Sequence, residues 1–151
     1  MLGFNGGTIG IANTVFTGTK SNDPNYSNVS LLLNGNGTNG STTFTDSSSY
    51  GHTVTPVADA KISTTQSKFG GASIYLDGSG DCLSLPDNAS AFDFGTGDFT
   101  IECWIYWVGG AYGIVFSQRH AYDTNNTGMS WRIDDPNDTI GFWHGNGLDD
   151  F

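Results

Sequence analysis

Carboxylate side chains are the first candidates for chemistry in this chain of 151 residues, which has 15 acidic residues. Fourteen of them are Asp, and the single Glu102 lies in the strand-like segment Phe99–Trp107. A glycosidase needs two carboxyl groups, about 5 Å apart in retaining enzymes and about 6.5–9.5 Å apart in inverting ones. No second acid follows Glu102 along its strand, and His52, His120 and His144 are far apart in the sequence. The residues therefore predict a protein that is not an enzyme.

Aromatic and polar side chains in the later segments are candidates for binding a sugar. An aromatic ring offers an apolar face on which a pyranose can stack, and the polar side chains supply hydrogen bonds. The alternative is that Tyr112 and Tyr122 pack within loops and that Trp131 and Trp143 belong to the core. The candidate glycan-binding residues are Tyr112, Arg119, His120, Tyr122, Asp123, Asn125, His144 and Asn146.

Oxygen-bearing side chains near the middle of the chain are candidates for a cation site. Carboxylate and amide oxygens are the ligands that Ca²⁺ prefers, and Asp77, Asp81, Asp87 and Asn88 could offer several of them. The alternative is that these residues form Asx turns, which the neighbouring Gly and Pro residues favour. We expect no required cofactor, with calcium as the one candidate.

The charge balance limits the kinds of partner. The 15 acidic residues against five Lys and Arg give the chain a net charge of −10, and the five basic residues form no cluster along the sequence. Phosphate backbones and anionic membrane surfaces repel such a protein. The longest apolar run, around 103–108, is much shorter than the ~20 residues of a membrane span, and the first 20 residues do not read as a signal peptide. We expect neither nucleic acid nor a membrane as a partner, and synthesis in a cytoplasm without a signal peptide.

Composition and turn signals predict an all-β protein. Gly, Ser, Thr and Asn are abundant and good helix formers are scarce, which disfavours helices. Short strand-like segments alternate with Asn-Gly, Asp-Gly and Gly-Gly turns, as is typical of a sandwich or jelly roll. The predicted strands are Ser30–Leu33, Thr53–Val57, Ala72–Leu76, Cys82–Leu85, Phe99–Trp107, Gly113–Ser117, Met129–Ile133 and Thr139–Trp143.

The first 27 residues differ from the rest. They are rich in Gly, Thr and Asn and show no clear periodicity before Tyr26. We interpret residues 1–27 as an N-terminal arm or anchor and residues 28–151 as the folded domain.

The two cysteines are predicted to be free thiols. In Phe99–Trp107 the alternation puts Cys103 on the more apolar face, with Phe99, Ile101, Ile105 and Trp107. In Cys82–Leu85, Cys82 alternates with Leu83 and Leu85 and so points away from the apolar side. The two thiols are therefore expected on opposite sides of a sheet, and a metal pair is not favoured because no His lies nearby.

One long segment resembles a known family. It reads FGGASIYLDGSGDCLSLPDNASAFDFGTGDFTIECWIY and is followed by GIVFSQR, MSWRIDD and TIGFWHGNG. In this order the motifs resemble the laminin-G-like members of the concanavalin A-like jelly-roll superfamily, over Val29–Phe151. The resemblance implies two curved antiparallel sheets and a role in carbohydrate recognition or adhesion. Family members continue with further strands, so we expect either a fragment ending at Phe151 or another polypeptide that covers the open sheet edges.

The opening residues carry a second, shorter resemblance. Met1–Gly10 reads MLGFNGGTIG and resembles the start of virion proteins from marine tailed phages. This implies a virion surface protein, as a capsid-decoration or tail-fibre component with other virion proteins as partners. It also implies a homo-oligomer such as a trimer, which would gain binding strength by avidity. The alternative function is a carbohydrate-binding module that recognises host or environmental polysaccharide during attachment.

Overall fold

The computed structural model describes residues 2–3, 7–10, 24–86, 89–92, 97–110, 112–118, 129–134, 139–144 and 147–150. Its regular elements in these ranges are twelve β-strands, one short 3-10 helix at Tyr26–Asn28 and one four-residue α-helix, α1 at Ala89–Phe92. The strands are β1 Leu2–Gly3, β2 Gly7–Gly10, β3 Phe44–Thr45, β4 Thr53–Val57, β5 Lys61–Ser63, β6 Ser73–Tyr75, β7 Cys82–Ser84, β8 Trp104–Trp107, β9 Gly113–Ser117, β10 Met129–Asp134, β11 Thr139–His144 and β12 Gly147–Asp150.

The strands form two antiparallel sheets, so the all-β prediction is confirmed at this level. The large sheet has eight strands in the order β12-β11-β10-β9-β1-β7-β4-β3. The small sheet has four strands in the order β5-β6-β2-β8. Among the described residues no helix is long and apolar enough to cross a membrane.

One hydrophobic core receives side chains from both sheets. The small sheet contributes Ile62 and Ile74, which are paired across β5 and β6 and almost completely buried. The large sheet contributes Phe44, which is paired with Val54, and Leu83. Burial of such side chains removes apolar area from water, which is the main favourable term in folding.

A β-bulge in β9 increases the number of side chains that this strand packs on the core. Trp131 pairs with Phe116 and the next residue, Arg132, pairs with Ile114, so Val115 is the extra residue. Val115 is buried in the core cluster and Phe116 packs against it. An extra residue turns neighbouring side chains toward the same side of a strand, which accounts for both contacts.

The alternation predicted around β8 is present, with one correction. Ile105 and Trp107 pack against the core, as does Cys103 just before the strand. Phe99, which the pattern put on the same face, is instead 45% exposed and stacks on Phe142 with ring centroids 6.3 Å apart. The reason is that β8 begins only at Trp104, so the alternation does not extend back to Phe99.

The other predicted strands agree with the structure to different extents. β4 and β9 have the predicted bounds. The bounds of β6, β7, β10 and β11 each differ from the predicted ones by one or two residues. The predicted strand Ser30–Leu33 is reduced to an isolated bridge between Leu33 and Asp46. The Asp-Gly turn at 77–80, which the sequence predicts between Ala72–Leu76 and Cys82–Leu85, is present, with Gly78 and Gly80 at φ 86° and 82°, values that glycine adopts without strain.

Residues 2–3 and 7–10 contribute one strand to each of the two sheets. β1 lies between β7 and β9, and β2 lies between β6 and β8. The sequence did not predict β1 and β2, because Gly-rich strands show no apolar periodicity by which they could be recognised. Residues 11–23 lie outside the described residues, and the division of the chain at residue 27 stays a prediction.

The two thiols lie at different sheets. Cys82 is in β7 of the large sheet, and Cys103 lies next to β8 of the small sheet. Cys82 pairs with Val57, which is exposed, whereas its neighbour Leu83 belongs to the core. Both cysteines are free, as predicted. The expected arrangement on opposite sides of one sheet is not what separates them, because they lie at different sheets, and Cys82 is buried.

Candidate functional site

The outer surface of the small sheet carries a group of exposed aromatic side chains. Alternation along β8 turns Trp104 and Tyr106 away from the core, and they are 48% and 55% exposed. Val108 continues the same alternation and is also exposed. Isolated exposed apolar side chains are ordinary, but a contiguous set marks a surface that contacts something else.

The strand register places Tyr75 on the same surface. Lys61 pairs with Tyr75, Tyr75 pairs with Thr8, and Thr8 pairs with Tyr106. Directly paired residues of neighbouring strands point to the same face. Since neighbouring strands are about 4.8 Å apart, Tyr75 and Tyr106 lie roughly 10 Å apart across the sheet.

The loop between β5 and β6 folds over this surface. Ser73 Oγ donates to the carbonyl of Gln66 at 2.8 Å, and the Thr65 N–H donates to Ser63 Oγ at 3.2 Å. Gly70 and Gly71, at φ 69° and 82°, end the loop. These contacts bring residues 68 and 69 back over the small sheet.

Lys68 and Phe69 then pack on Trp104. The Phe69 ring meets the Trp104 ring edge-on, with centroids 6.1 Å apart. The Lys68 ammonium lies 4.4 Å from the centroid of the Trp104 ring, within the range of a cation–π interaction. The Lys61 ammonium lies 5.3 Å from the centroid of Tyr75.

We call this surface the aromatic face and define it by Lys61, Lys68, Phe69, Tyr75, Trp104 and Tyr106. Glu102, two residues before the start of β8 at Trp104, is also exposed. The face thus combines apolar rings with ammonium donors, and the exposed carboxylate of Glu102 is close to it along the chain. It is open rather than enclosed, so it fits an extended ligand better than a small molecule.

Sequence reasoning missed this face, although part of the signal was present. The alternation that placed Ile105 and Trp107 inside also places Trp104 and Tyr106 outside. The contribution of Lys68 and Phe69 could not be read from the sequence, because it depends on how the loop folds over the sheet.

The sequence-predicted glycan residues are only partly described. Tyr112 precedes β9 and is 49% exposed. His144 ends β11, where it pairs with Met129 and Gly147. The structure does not bring these two residues together with the aromatic face. The other members lie outside the described residues: Arg119, His120, Tyr122, Asp123, Asn125 and Asn146.

The proposed calcium ligands that are described make hydrogen bonds with the backbone. Asp81 is buried and accepts the N–H groups of Asp59 and Asp77, each at 2.7 Å. Asp77 Oδ1 accepts the Ser79 N–H at 2.7 Å. Asp87 and Asn88 lie outside the described residues. In the part of the chain that is described, no group of three His, Cys, Asp or Glu side chains is placed to hold a metal ion.

A second buried carboxylate, Asp46, was not singled out by the sequence. Its oxygens accept the N–H groups of Leu32 (3.0 Å), Ser48 (2.8 Å) and His52 (2.8 Å), and the Ser48 hydroxyl (2.8 Å). Burial alone would raise the pKa of Asp46, but these hydrogen bonds outweigh it and hold the pKa below its ordinary value. The carboxylate thus ties the 30–33 segment to the 46–52 loop, which is a structural role.

Comparison of the chain with protein-family models, with curated proteins and with solved structures gave no significant match in any of the three. The class of the protein is therefore defined by its fold: an all-β chain of two antiparallel sheets with an open aromatic face.

Proposed function

We propose that this chain is a non-enzymatic carbohydrate-binding module whose aromatic face receives a polysaccharide. The observation that carries the proposal is the exposure of Trp104 and Tyr106 on the same face of one strand. Residues two apart on a strand are about 7 Å apart along it, so the two rings form a row on which sugar rings can stack.

The polar groups around this row support a sugar rather than a purely apolar partner. Lys61 and Lys68 can donate hydrogen bonds to hydroxyl oxygens, and Glu102 can accept hydrogen bonds from hydroxyl groups. A sugar ring has an apolar C–H face and a polar edge, and both kinds of group are present on the aromatic face.

The finer fold belongs to the same proposal. We infer a jelly roll of the laminin-G-like kind for residues 28–151, supported by the motif order described above and by antiparallel pairing between distant strands such as β4 and β7. An experimental structure in which the two sheets pack face to face with this connectivity would test it.

The virion setting is proposed on sequence resemblance alone. In this proposal the module decorates a phage capsid or tail fibre and binds polysaccharide during attachment, without catalysis. Finding the protein together with major capsid or tail proteins in purified particles would support it, and its absence from such particles would contradict it.

The binding proposal is tested by affinity electrophoresis of the protein through gels that contain one polysaccharide each, with and without calcium. We expect retardation by at least one neutral polysaccharide. Trp104→Ala and Tyr106→Ala should weaken it at least tenfold, because each removes one stacking ring. Tyr112→Ala is the matched control, since Tyr112 is equally exposed but lies outside the aromatic face.

Two results would contradict the proposal. One is migration unchanged by every polysaccharide in the panel. The other is retardation that Tyr112→Ala abolishes while Trp104→Ala leaves it intact, which would move the site to the later loops.

A further inference from the structure

Asn-Gly pairs recur in the turn segment 34–40. They are Asn34-Gly35, Asn36-Gly37 and Asn39-Gly40. An Asn-Gly pair is chemically reactive, because glycine has no side chain to shield its backbone nitrogen from the carboxamide of the preceding asparagine. Since the same dipeptide occurs three times in one short segment, a difference in reactivity among the three pairs must come mainly from the folded structure.

In the third pair, hydrogen bonds hold both of the groups that would react. The Gly40 N–H donates to the Ile62 carbonyl at 2.8 Å, and Asn39 Oδ1 accepts the Thr64 N–H at 3.1 Å. The first bond ties the nucleophilic nitrogen to β5, and the second fixes the orientation of the carboxamide. Both bonds would have to break before the Gly40 nitrogen could reach Cγ of Asn39.

The first pair is held by packing and by its side chain. Asn34 Nδ2 donates to Ser47 Oγ at 3.2 Å. Gly35 is buried and lies so close to β6 that an added Cβ would be 3.3 Å from the backbone nitrogen of Ile74. A close-packed peptide resists the rotation that ring closure requires.

The middle pair lacks these restraints. Asn36 and Gly37 are both exposed. Within the described part of the chain, neither the Asn36 carboxamide nor the Gly37 N–H makes a hydrogen bond. The electrophilic carbon and the nucleophilic nitrogen are therefore both accessible to water and free of hydrogen bonds that would have to break.

We propose that Asn36 is a site of spontaneous deamidation in the folded protein. The Gly37 nitrogen gives up its proton to hydroxide and attacks Cγ of Asn36. The N–Cγ bond forms, the Cγ–Nδ2 bond breaks, and ammonia leaves with a proton taken from water. Water then opens the cyclic succinimide. Cleavage between the Gly37 nitrogen and Cγ gives aspartate, and cleavage between that nitrogen and the main-chain carbonyl carbon gives isoaspartate. The sum is one water consumed and one ammonia released, with no change of oxidation state.

The proposal is tested on the full chain, incubated at pH 8 and digested with trypsin at intervals. All three asparagines lie in the tryptic peptide 21–61, so one spectrum compares them. Electron-transfer dissociation assigns each site and separates isoaspartate from aspartate. We expect Asn36 to lose its amide at least tenfold faster than Asn34 and Asn39, with both products formed. In guanidinium chloride, where the fold is lost, the three rates should become similar.

Variants check the source of the difference. Ser47→Ala removes the acceptor of the Asn34 amide and should speed the reaction of Asn34, whereas Thr43→Ala, at an exposed position, should leave all three rates unchanged. Asn36→Gln should abolish the fast phase. The proposal is overturned if the three sites react at equal rates in the folded chain, if Asn34 or Asn39 reacts fastest there, or if Asn36 gives aspartate without isoaspartate.

Discussion

At the scale of single residues, the buried carboxylate of Asp46 has the clearest energetic role. Its two oxygens accept hydrogen bonds from three backbone N–H groups and one hydroxyl. In Asp46→Asn an NH₂ group replaces one of these oxygens and leaves buried donors without an acceptor. We expect the free energy of unfolding to fall by about 2 kcal/mol at pH 7, measured by urea denaturation, with exposed Asp98→Asn as a control near zero.

The pH dependence of this effect has a defined sign. The folded-state pKa of Asp46 is below the ordinary value of 3.8. The contribution of the Asp46 carboxylate to the free energy of unfolding is therefore complete above its unfolded-state pKa and is lost as the pH falls through its folded-state pKa. The difference in stability between the parent and Asp46→Asn should shrink below pH 3.8. A difference that is the same at pH 7 and pH 2.5 would contradict this account.

The thiols give a second prediction at this scale. Burial raises the pKa of the Cys103 thiol to about 11 and also raises that of Cys82. Since only the thiolate reacts, Cys103 in the folded protein should be alkylated by iodoacetamide at pH 8 about a hundredfold more slowly than in urea. Mass spectrometry of the Cys103 peptide measures this rate. Equal rates in the two states would show that the thiol is not buried, and no labelling in urea would show a disulfide.

At the scale of elements, the position of β1 and β2 is the most consequential feature. Each of these short strands lies between two others, so each links parts of a sheet that are otherwise separate. Deleting residues 1–10 should therefore prevent cooperative folding, as measured by urea denaturation and by the dispersion of NMR signals.

A point variant gives the matched test. Thr8 pairs on both sides, with Tyr75 and Tyr106, and proline cannot donate to a sheet ladder. Thr8→Pro should be strongly destabilising, whereas Ser67→Pro, in an exposed loop, should cost less than 1 kcal/mol. A deletion variant as stable as the full chain would instead support the predicted arm.

The sequence predicted those elements whose local pattern is strong. Short segments rich in β-branched residues and bounded by turns identified β4 and β9, and Asp-Gly chemistry identified the turn at 77–80. It failed for β1 and β2, because glycine and threonine carry no apolar pattern, and for β3 and β5, because strands of two or three residues are too short to show one. At Phe99 the prediction extended the in–out alternation of β8 to residues before the strand begins at Trp104.

At the scale of the whole molecule, the fold depends on pairings that local pattern does not encode. β2 pairs with β8 and β1 pairs with β9, although about a hundred residues of chain separate the strands of each pair. The local sequence of a strand does not specify which strand it pairs with. The candidate site shows the same limit. The alternation of side chains along β8 predicts that Trp104 and Tyr106 face outward. Strand register brings Lys61 to the same face, and the folding of the loop between β5 and β6 brings Lys68 and Phe69; neither is visible in the local sequence.

The most direct test of the central claim is hydroxyl-radical footprinting with and without a polysaccharide that the protein binds. We predict that oxidation of Trp104 and Tyr106 falls at least threefold in the complex, because the bound sugar rings cover both side chains. Tyr50, which is 46% exposed and outside the aromatic face, should be oxidised at the same rate in both states. Protection at Tyr112 with Trp104 and Tyr106 unchanged would contradict the assignment of the aromatic face as the glycan-binding surface.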